Sequence, residues 1–295
     1  MRNDMKKIID INLYAYGNGS SNFNCEKGAV VLKNAIENAG FADQCHWNPI
    51  LKVNNHHQQT AALPDITALS EKLARSTEQS ILNHHFFITL GGDHTAAIGS
   101  WSGAAKATRA LGLIWFDAHM DSHTFETTPS HNIHGMPLAI LLGHGEKELT
   151  HILSNQPKLK PENVVLIGVR SFENGEAALL EKLGVKIFYM DDIKKCGLKK
   201  IIDDAINIVT KNTTAFGISI DLDGFDPADA PGICTAAPDG IRSGNFLSEF
   251  KAIAHHPKLI GADIVEFNPS ADVNHKTEKL AVALCGEFFS RLQIK

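Results

Sequence analysis

The chain of 295 residues has no CxxC pair, no block of basic charge, no internal repeat, no low-complexity tract and no Pro/Gly/Ser-rich linker. Each absence excludes something. Cys25, Cys45, Cys196, Cys234 and Cys285 form an odd set without metal-finger spacing, so reduced thiols are expected, not a disulfide frame or a thiolate zinc site. Lys plus Arg number 28 against 33 for Asp plus Glu, a net charge of -5. Without a basic run to neutralise phosphates, nucleic-acid and anionic-membrane partners are not expected. No apolar run approaches the roughly 20 residues that cross a bilayer. The opening MRNDMKKIIDINLYAYG lacks the apolar core and small-residue cleavage site of a secretory signal. The expected setting is the cytoplasm.

What is present is a globular chain, 43% hydrophobic, long enough to bury a large core. Short β-branched or aromatic runs recur at KIIDINLY, HFFITL, LGLIWFD, NVVLIGV, VKIFYM, TAFGISID and LIGADIVEF. Their nearly continuous apolar character predicts parallel strands buried on both faces. Between them, helical spacing appears at Ile66, Leu69, Leu73, at Leu198, Ile201, Ile202, Ala205, Ile206, Val209, and at Leu280, Leu284, Phe288, Leu292. This alternation predicts an α/β fold, a three-layer α-β-α sandwich with a doubly wound, mainly parallel sheet, in one domain over 1–295. The stretch SHTFETTPSHNIHG (122–135) is the longest non-periodic segment beside a motif, and loops of that length are commonly functional.

Three polar motifs stand where apolar runs end: GGDHT at 91–95, DAHMDSH at 117–123 and SIDLDGFDP at 219–227. In an extended segment alternate side chains share one side, which aligns Asp117, His119 and Asp121, and likewise Asp221 with Asp223. With His94 they make six ligands of carboxylate and imidazole type, suited to manganese or a similar divalent ion. Six are too many for one ion that must also hold water, so two ions are implied. Four carboxylates against two divalent ions and a hydroxide leave about one negative charge, which welcomes a cationic substrate. Any one of these Asp residues could instead cap a helix or make an Asx turn. A calcium-loop reading of DLDGFD fails, because Phe225 and Asp226 stand where Asp or Asn and then Gly are required.

These motifs resemble those of the ureohydrolase superfamily, the arginase and agmatinase group, whose GGDH, DAHxD and SxDxDxxDP occur here in order. TTPSHNIHGMP (127–137) resembles the arginase substrate loop, and DIVEFNPS (263–270) the segment with its guanidinium-binding Glu. The first 85 residues match least: GNGSSNFNCEKGA replaces the usual glycine-rich loop. The resemblance implies that Asp117 and Asp221 bridge two Mn²⁺ ions, with Co²⁺ or Ni²⁺ as substitutes. His94 and Asp121 then complete one shell, His119 and Asp223 the other. It further implies that Asp121 accepts a hydrogen bond from a bridging hydroxide, that Glu266 pairs with the guanidinium, and that His134 protonates the leaving amine. Neighbouring His131 and the pairs His56/His57, His84/His85 and His255/His256 carry no spacing argument. A homotrimer or homohexamer is implied by the family alone.

For the substrate's α-carboxylate the family uses an Asn two residues after DAHxD, with Ser and Thr further along the loop; here the positions hold His123, Ser130 and Thr128. For the α-amino group it uses an Asp and a Glu in GxRxxDxxE, and this chain has GVRSFENGE with Glu173 and Glu176. The expected activity is hydrolysis of L-arginine, or a close guanidino amino acid, to urea and an amine such as L-ornithine. One rival is another amidino hydrolase, acting on agmatine, guanidinobutyrate or formiminoglutamate. The other is a non-catalytic guanidino-binding protein of the same fold, against which the intact ligand set argues.

Overall fold

β-Branched and aromatic side chains fit a pleated surface packed on both faces, and the runs named above become strands in the computed structural model, which describes residues 8–21, 23–55 and 57–291. They are β1 (Ile9–Leu13), β2 (Cys45–Trp47), β3 (Phe86–Leu90), β4 (Leu111–Phe116), β5 (Val164–Val169), β6 (Lys186–Tyr189), β7 (Ala215–Asp221) and β8 (Leu259–Val265). All pair in parallel in one sheet of order β2-β1-β3-β8-β7-β4-β5-β6.

Period-two alternation sends Ile114 and Phe116 of β4, and Val165 and Ile167 of β5, into one core. Leu113, Trp115, Val164 and Leu166 enter the other. Helices Gly28–Ile36, Leu198–Lys211, Ser243–Ala254 and Lys276–Ser290 cover the first face; Ala96–Ala107 covers the second with Trp101. The doubly wound sandwich is therefore borne out. No helix among the described residues is long and apolar enough to cross a membrane.

Two points of the sequence reading need amendment, while the predicted helices hold. The edge strand β2, only CHW, was not anticipated, because three residues give no periodicity to read. The predicted helices appear as Leu63–Leu82, Leu198–Lys211 and Lys276–Ser290; Leu292, like residues 1–7 and His56, lies outside the described residues. The reduced-thiol expectation is overturned for one pair: Cys25 and Cys234 are joined in a disulfide across 209 residues of sequence, while Cys45, Cys196 and Cys285 are free. The reason is topological. Cys25 follows β1 and Cys234 follows β7, and parallel strands deliver both loops to the same end of the sheet.

Candidate metal centre and active-site cleft

In a parallel sheet the carboxyl ends of neighbouring strands open onto a common crevice, most widely where the strand order reverses. The four central strands β3, β8, β7 and β4 stand side by side. Their ends supply His94, Glu266, the pair Asp221 and Asp223, and the triplet Asp117, His119 and Asp121, in that order across the sheet. The turn after β3 has to be glycine: a Cβ on Gly92 would fall 1.8 Å from the Tyr16 carbonyl oxygen. Gly92 in turn accepts the Glu266 backbone N–H at 2.8 Å.

His94 is fully buried. Its Nδ1 lies 2.8 Å from Asp121 Oδ2, 3.1 Å from Asp221 Oδ2 and 3.3 Å from Asp117 Oδ2. His119 Nδ1 lies 3.1 Å from Asp223 Oδ2 and 3.4 Å from Asp117 Oδ1. Two three-residue groups thus have ligand atoms within 4.8 Å of one another: His94 with Asp117 and Asp221, and His119 with Asp117 and Asp223. They share Asp117, as a two-ion centre requires.

The surrounding hydrogen bonds test whether cations fit. Ser219 Oγ donates to Asp263 at 2.5 Å and so accepts from His94 Nε2 at 2.9 Å. That fixes the tautomer and leaves the His94 Nδ1 lone pair aimed at three carboxylates, with no hydrogen-bond partner. A proton on Nδ1 or a metal ion in its place relieves such an arrangement. Trp115 Nε1 donates to Asp117 Oδ2 at 2.9 Å while its ring stacks on His94, so both ligands are held in place from behind.

Burial raises the Asp221 carboxyl well above the ordinary range, and the charges of Asp223 and Asp117 raise it further. Burial, then Asp117, pushes Asp121 up to about 6. Burial opposes charging His94 and His119, yet the facing carboxylates prevail and raise both. Without metal the site holds protons where cations belong.

Above the ligands is a cleft of about 250 Å³ whose lining includes His119, Asp121, His123, Ser130, His134, Glu173, Glu176 and Glu266. Glu266 Oε1 accepts from the His94 backbone N–H at 2.8 Å and from His134 Nδ1 at 2.9 Å. Burial opposes the charged form of His134, but Glu266 raises its pKa to about 9. Asp121 and Glu266 have φ of +47° and +63°, a costly conformation for non-glycine residues and one that clusters at functional sites.

The expected substrate contacts divide. His123, Ser130, Glu173 and Glu176 line the cleft, whereas Thr128 is not part of the lining: its Oγ1 accepts from the His131 N–H at 3.0 Å and ties the loop together. His123 Nε2 lies 3.1 Å from Glu173 and 3.5 Å from Glu176. The two glutamates also form the capping box of helix Asn174–Leu183. Burial pushes Glu176 up to about 8, even as the Glu173 backbone N–H donates to it.

Sequence reasoning missed four contributors. Asn132 and Thr235 line the cleft. Asn132 stood two residues before His134 in the loop already singled out, so a signal existed. Asp93 of the GGDH turn accepts from Gly19 N–H at 2.7 Å, fixing the divergent loop after β1. Arg170 donates to the carbonyls of Gly168, Asp223, Gly224, Phe225, Ala237 and Pro238, bracing the loop after β7. Arg170 is the arginine of GVRSFENGE, so the motif marked the residue, though not this task.

A sequence model of the Arginase family matches residues 15–290. The chain is 41% identical to the arginase of Bacillus caldovelox over 245 residues, 82% of each protein. Its fold matches the crystal structure of arginase from Bacillus subtilis with a TM-score of 0.89 and 34% identity, over 96% of this chain and 98% of that one. It also matches Entamoeba histolytica arginase in complex with L-ornithine, with a TM-score of 0.88 and 28% identity, over 96% and 98%.

Proposed function

This chain belongs to the arginase family, and from that premise we propose that it hydrolyses L-arginine, or a close guanidino amino acid, to urea and an amine such as L-ornithine. Two Mn²⁺ ions are the proposed cofactors, held by His94, Asp117, His119, Asp121, Asp221 and Asp223. The observation that carries the reading is the unpartnered His94 Nδ1 facing three carboxylates below a cleft that also contains Glu266. A pair of divalent ions, when bound, supplies the Lewis acidity that turns water into a hydroxide-strength nucleophile near neutral pH.

The chain's own residues do the rest. Glu266, held ionised by His134 against its burial, offers a carboxylate to the planar guanidinium and orients its carbon. Asp121, within reach of the centre and of the cleft, accepts the proton that the nucleophile gives up. His134 carries a proton across the neutral range and passes it to the leaving amine. Glu173, Glu176, His123, Ser130 and, through the loop it holds, Thr128 recognise the amino-acid end. The homotrimer or homohexamer, the cytoplasmic setting and a single catalytic domain belong to the same proposal, and light scattering tests the first.

One observation favours a second reading. Because His123 already pairs with both glutamates, a substrate without an α-amino group, such as guanidinobutyrate, asks less of that end of the cleft. A panel of arginine, agmatine, guanidinobutyrate and formiminoglutamate with Mn²⁺-loaded protein decides between them. Urea from arginine at the highest kcat/KM supports the first reading, whereas urea or formamide from another member alone sinks it.

A further inference from the structure

The Cys25–Cys234 bridge lies against the residue that the proposed function assigns to the guanidinium. Cys25 belongs to the 3-10 turn Phe23–Lys27, is fully buried, and its Sγ is 3.4 Å from Glu266 Oε2. Cys234 is half-buried in the loop after β7, next to Thr235 of the cleft wall. The sulfurs and the Glu266 carboxylate form one cluster within 4.8 Å. Packing here is tight: a Cβ on Gly28 would fall 2.5 Å from the Phe267 carbonyl oxygen, so the turn carrying Cys25 cannot shift without disturbing the segment that holds Glu266.

Glu266 Oε1 is already committed to His94 N–H and His134 Nδ1. Oε2 is the oxygen left for a second N–H of a planar fork. A disulfide sulfur carries no proton and leaves that oxygen open; a thiol at the same place donates to it.

We propose that Cys25 and Cys234 form a reversible redox site that sets how well Glu266 receives a guanidinium, the disulfide being the tighter-binding state. The inference rests on Glu266 as the guanidinium partner. The reductant is a dithiol. Its thiolate attacks the more accessible Cys234 Sγ, the S–S bond breaks, and Cys25 leaves as a thiolate that takes a proton from water. The reductant's second thiol then attacks the mixed disulfide, releasing Cys234 as a thiol and leaving the reductant as a disulfide. Two electrons and two protons reach the protein in all. Reduction therefore fills Oε2 with an S–H donor and unties the turn before Gly28 from the loop after β7.

The test compares the full-length Mn²⁺-loaded protein, untreated and reduced with dithiothreitol under anaerobic conditions, with thiols counted by alkylation and mass. The expected result is a KM for L-arginine raised roughly tenfold on reduction, about one hydrogen bond's worth, with kcat changing less. Cys234→Ser, which keeps the Cys25 thiol, should hold the reduced value whether or not reductant is present. Cys25→Ala, lacking both bridge and S–H, should show a lower KM than Cys234→Ser. Equal KM in the two redox states, or equal KM in the two variants, overturns the inference. Should arginine prove not to be a substrate, the functional reading fails separately. The redox site is then judged by amide exchange: faster exchange on reduction confined to residues 17–27 and 226–241 supports it, and unchanged exchange overturns it.

Discussion

At the floor of the cleft four carboxylates and two imidazoles crowd together so that His94 Nδ1 is left without a hydrogen-bond partner. At the rim, His123, Glu173 and Glu176 have already found one another and a helix terminus to cap. The floor is therefore an arrangement that has to hold protons or cations between its carboxylates. The rim is satisfied as it stands, and a substrate has to displace what is there. On the proposed function, the difference teaches where selectivity would reside: chemistry with the groups that need a cation between them, and substrate choice with the groups already paired to one another.

The sharpest way to break this contrast is Asp221→Asn. Loss of one proposed ligand should lower the Mn²⁺ content and cut kcat/KM about a thousandfold, the several kcal/mol that metal polarisation supplies. In the metal-free protein the same change should leave Tm equal or higher, because burial and the charges of Asp223 and Asp117 make an ionised Asp221 costly. Metal analysis with paired melting curves reads both. A metal-free variant that melts well below the metal-free wild type shows that the floor is not strained as described.

Next in size is His134→Ala. Removal of a general acid costs about a hundredfold or more in kcat, with Mn²⁺ content unchanged because His134 is not among the proposed ligands. Since Glu266 raises His134 to about 9 against its burial, the protonated acid is available below that pH and is lost above it. The wild-type rate should fall as pH rises through about 9, and the variant should lack that limb. A pH–rate profile that keeps the limb after His134→Ala assigns the proton to another group.

His123→Asn probes the rim. With the imidazole gone, Glu173 and Glu176 are free for an ammonium group, so KM for L-arginine should fall about fivefold, close to the worth of one hydrogen bond, with kcat little changed. A rise in KM instead shows that the imidazole's own contact with the substrate outweighs its hold on the two glutamates, and the contrast between floor and rim weakens.

The same contrast governs what could be read from the chain in advance. Asp117, His119, Asp121, Asp221 and Asp223 were legible because each set ends an apolar run, although the extended backbone expected there is not what aligns them: bends follow β4, Asp121 has φ of +47° and Asp223 sits in the 3-10 turn Leu222–Gly224. His94 was legible from the Gly-Gly-Asp turn before it, although only the structure shows Gly92 pressed on Tyr16. The rim was less legible because its contacts are long-range and compete: nothing local says that Glu176 serves Ser122, Glu173 and a helix terminus at once. The bridge between Cys25 and Cys234 was illegible for the same reason, since it depends on two loops brought together by sheet order and not by spacing.

The smallest effect tests whether the rim is as self-contained as it looks. Burial lifts the Glu176 carboxyl from the ordinary 4.5 to about 8, so between those values the folded protein keeps a proton that the unfolded chain has released. The unfolded state then binds fewer protons, and linkage makes stability decline as pH rises through that window. Glu176→Gln cannot titrate. It gives up part of the cap at every pH but escapes the decline, so its stability relative to wild type should improve from pH 4.5 to pH 8 by on the order of 1 kcal/mol. Urea unfolding of both metal-free proteins at several pH values measures the difference. A constant offset shows that Glu176 is ionised in the resting site, which makes the rim a ready-made anionic pocket, closer to the floor in character than the contrast allows.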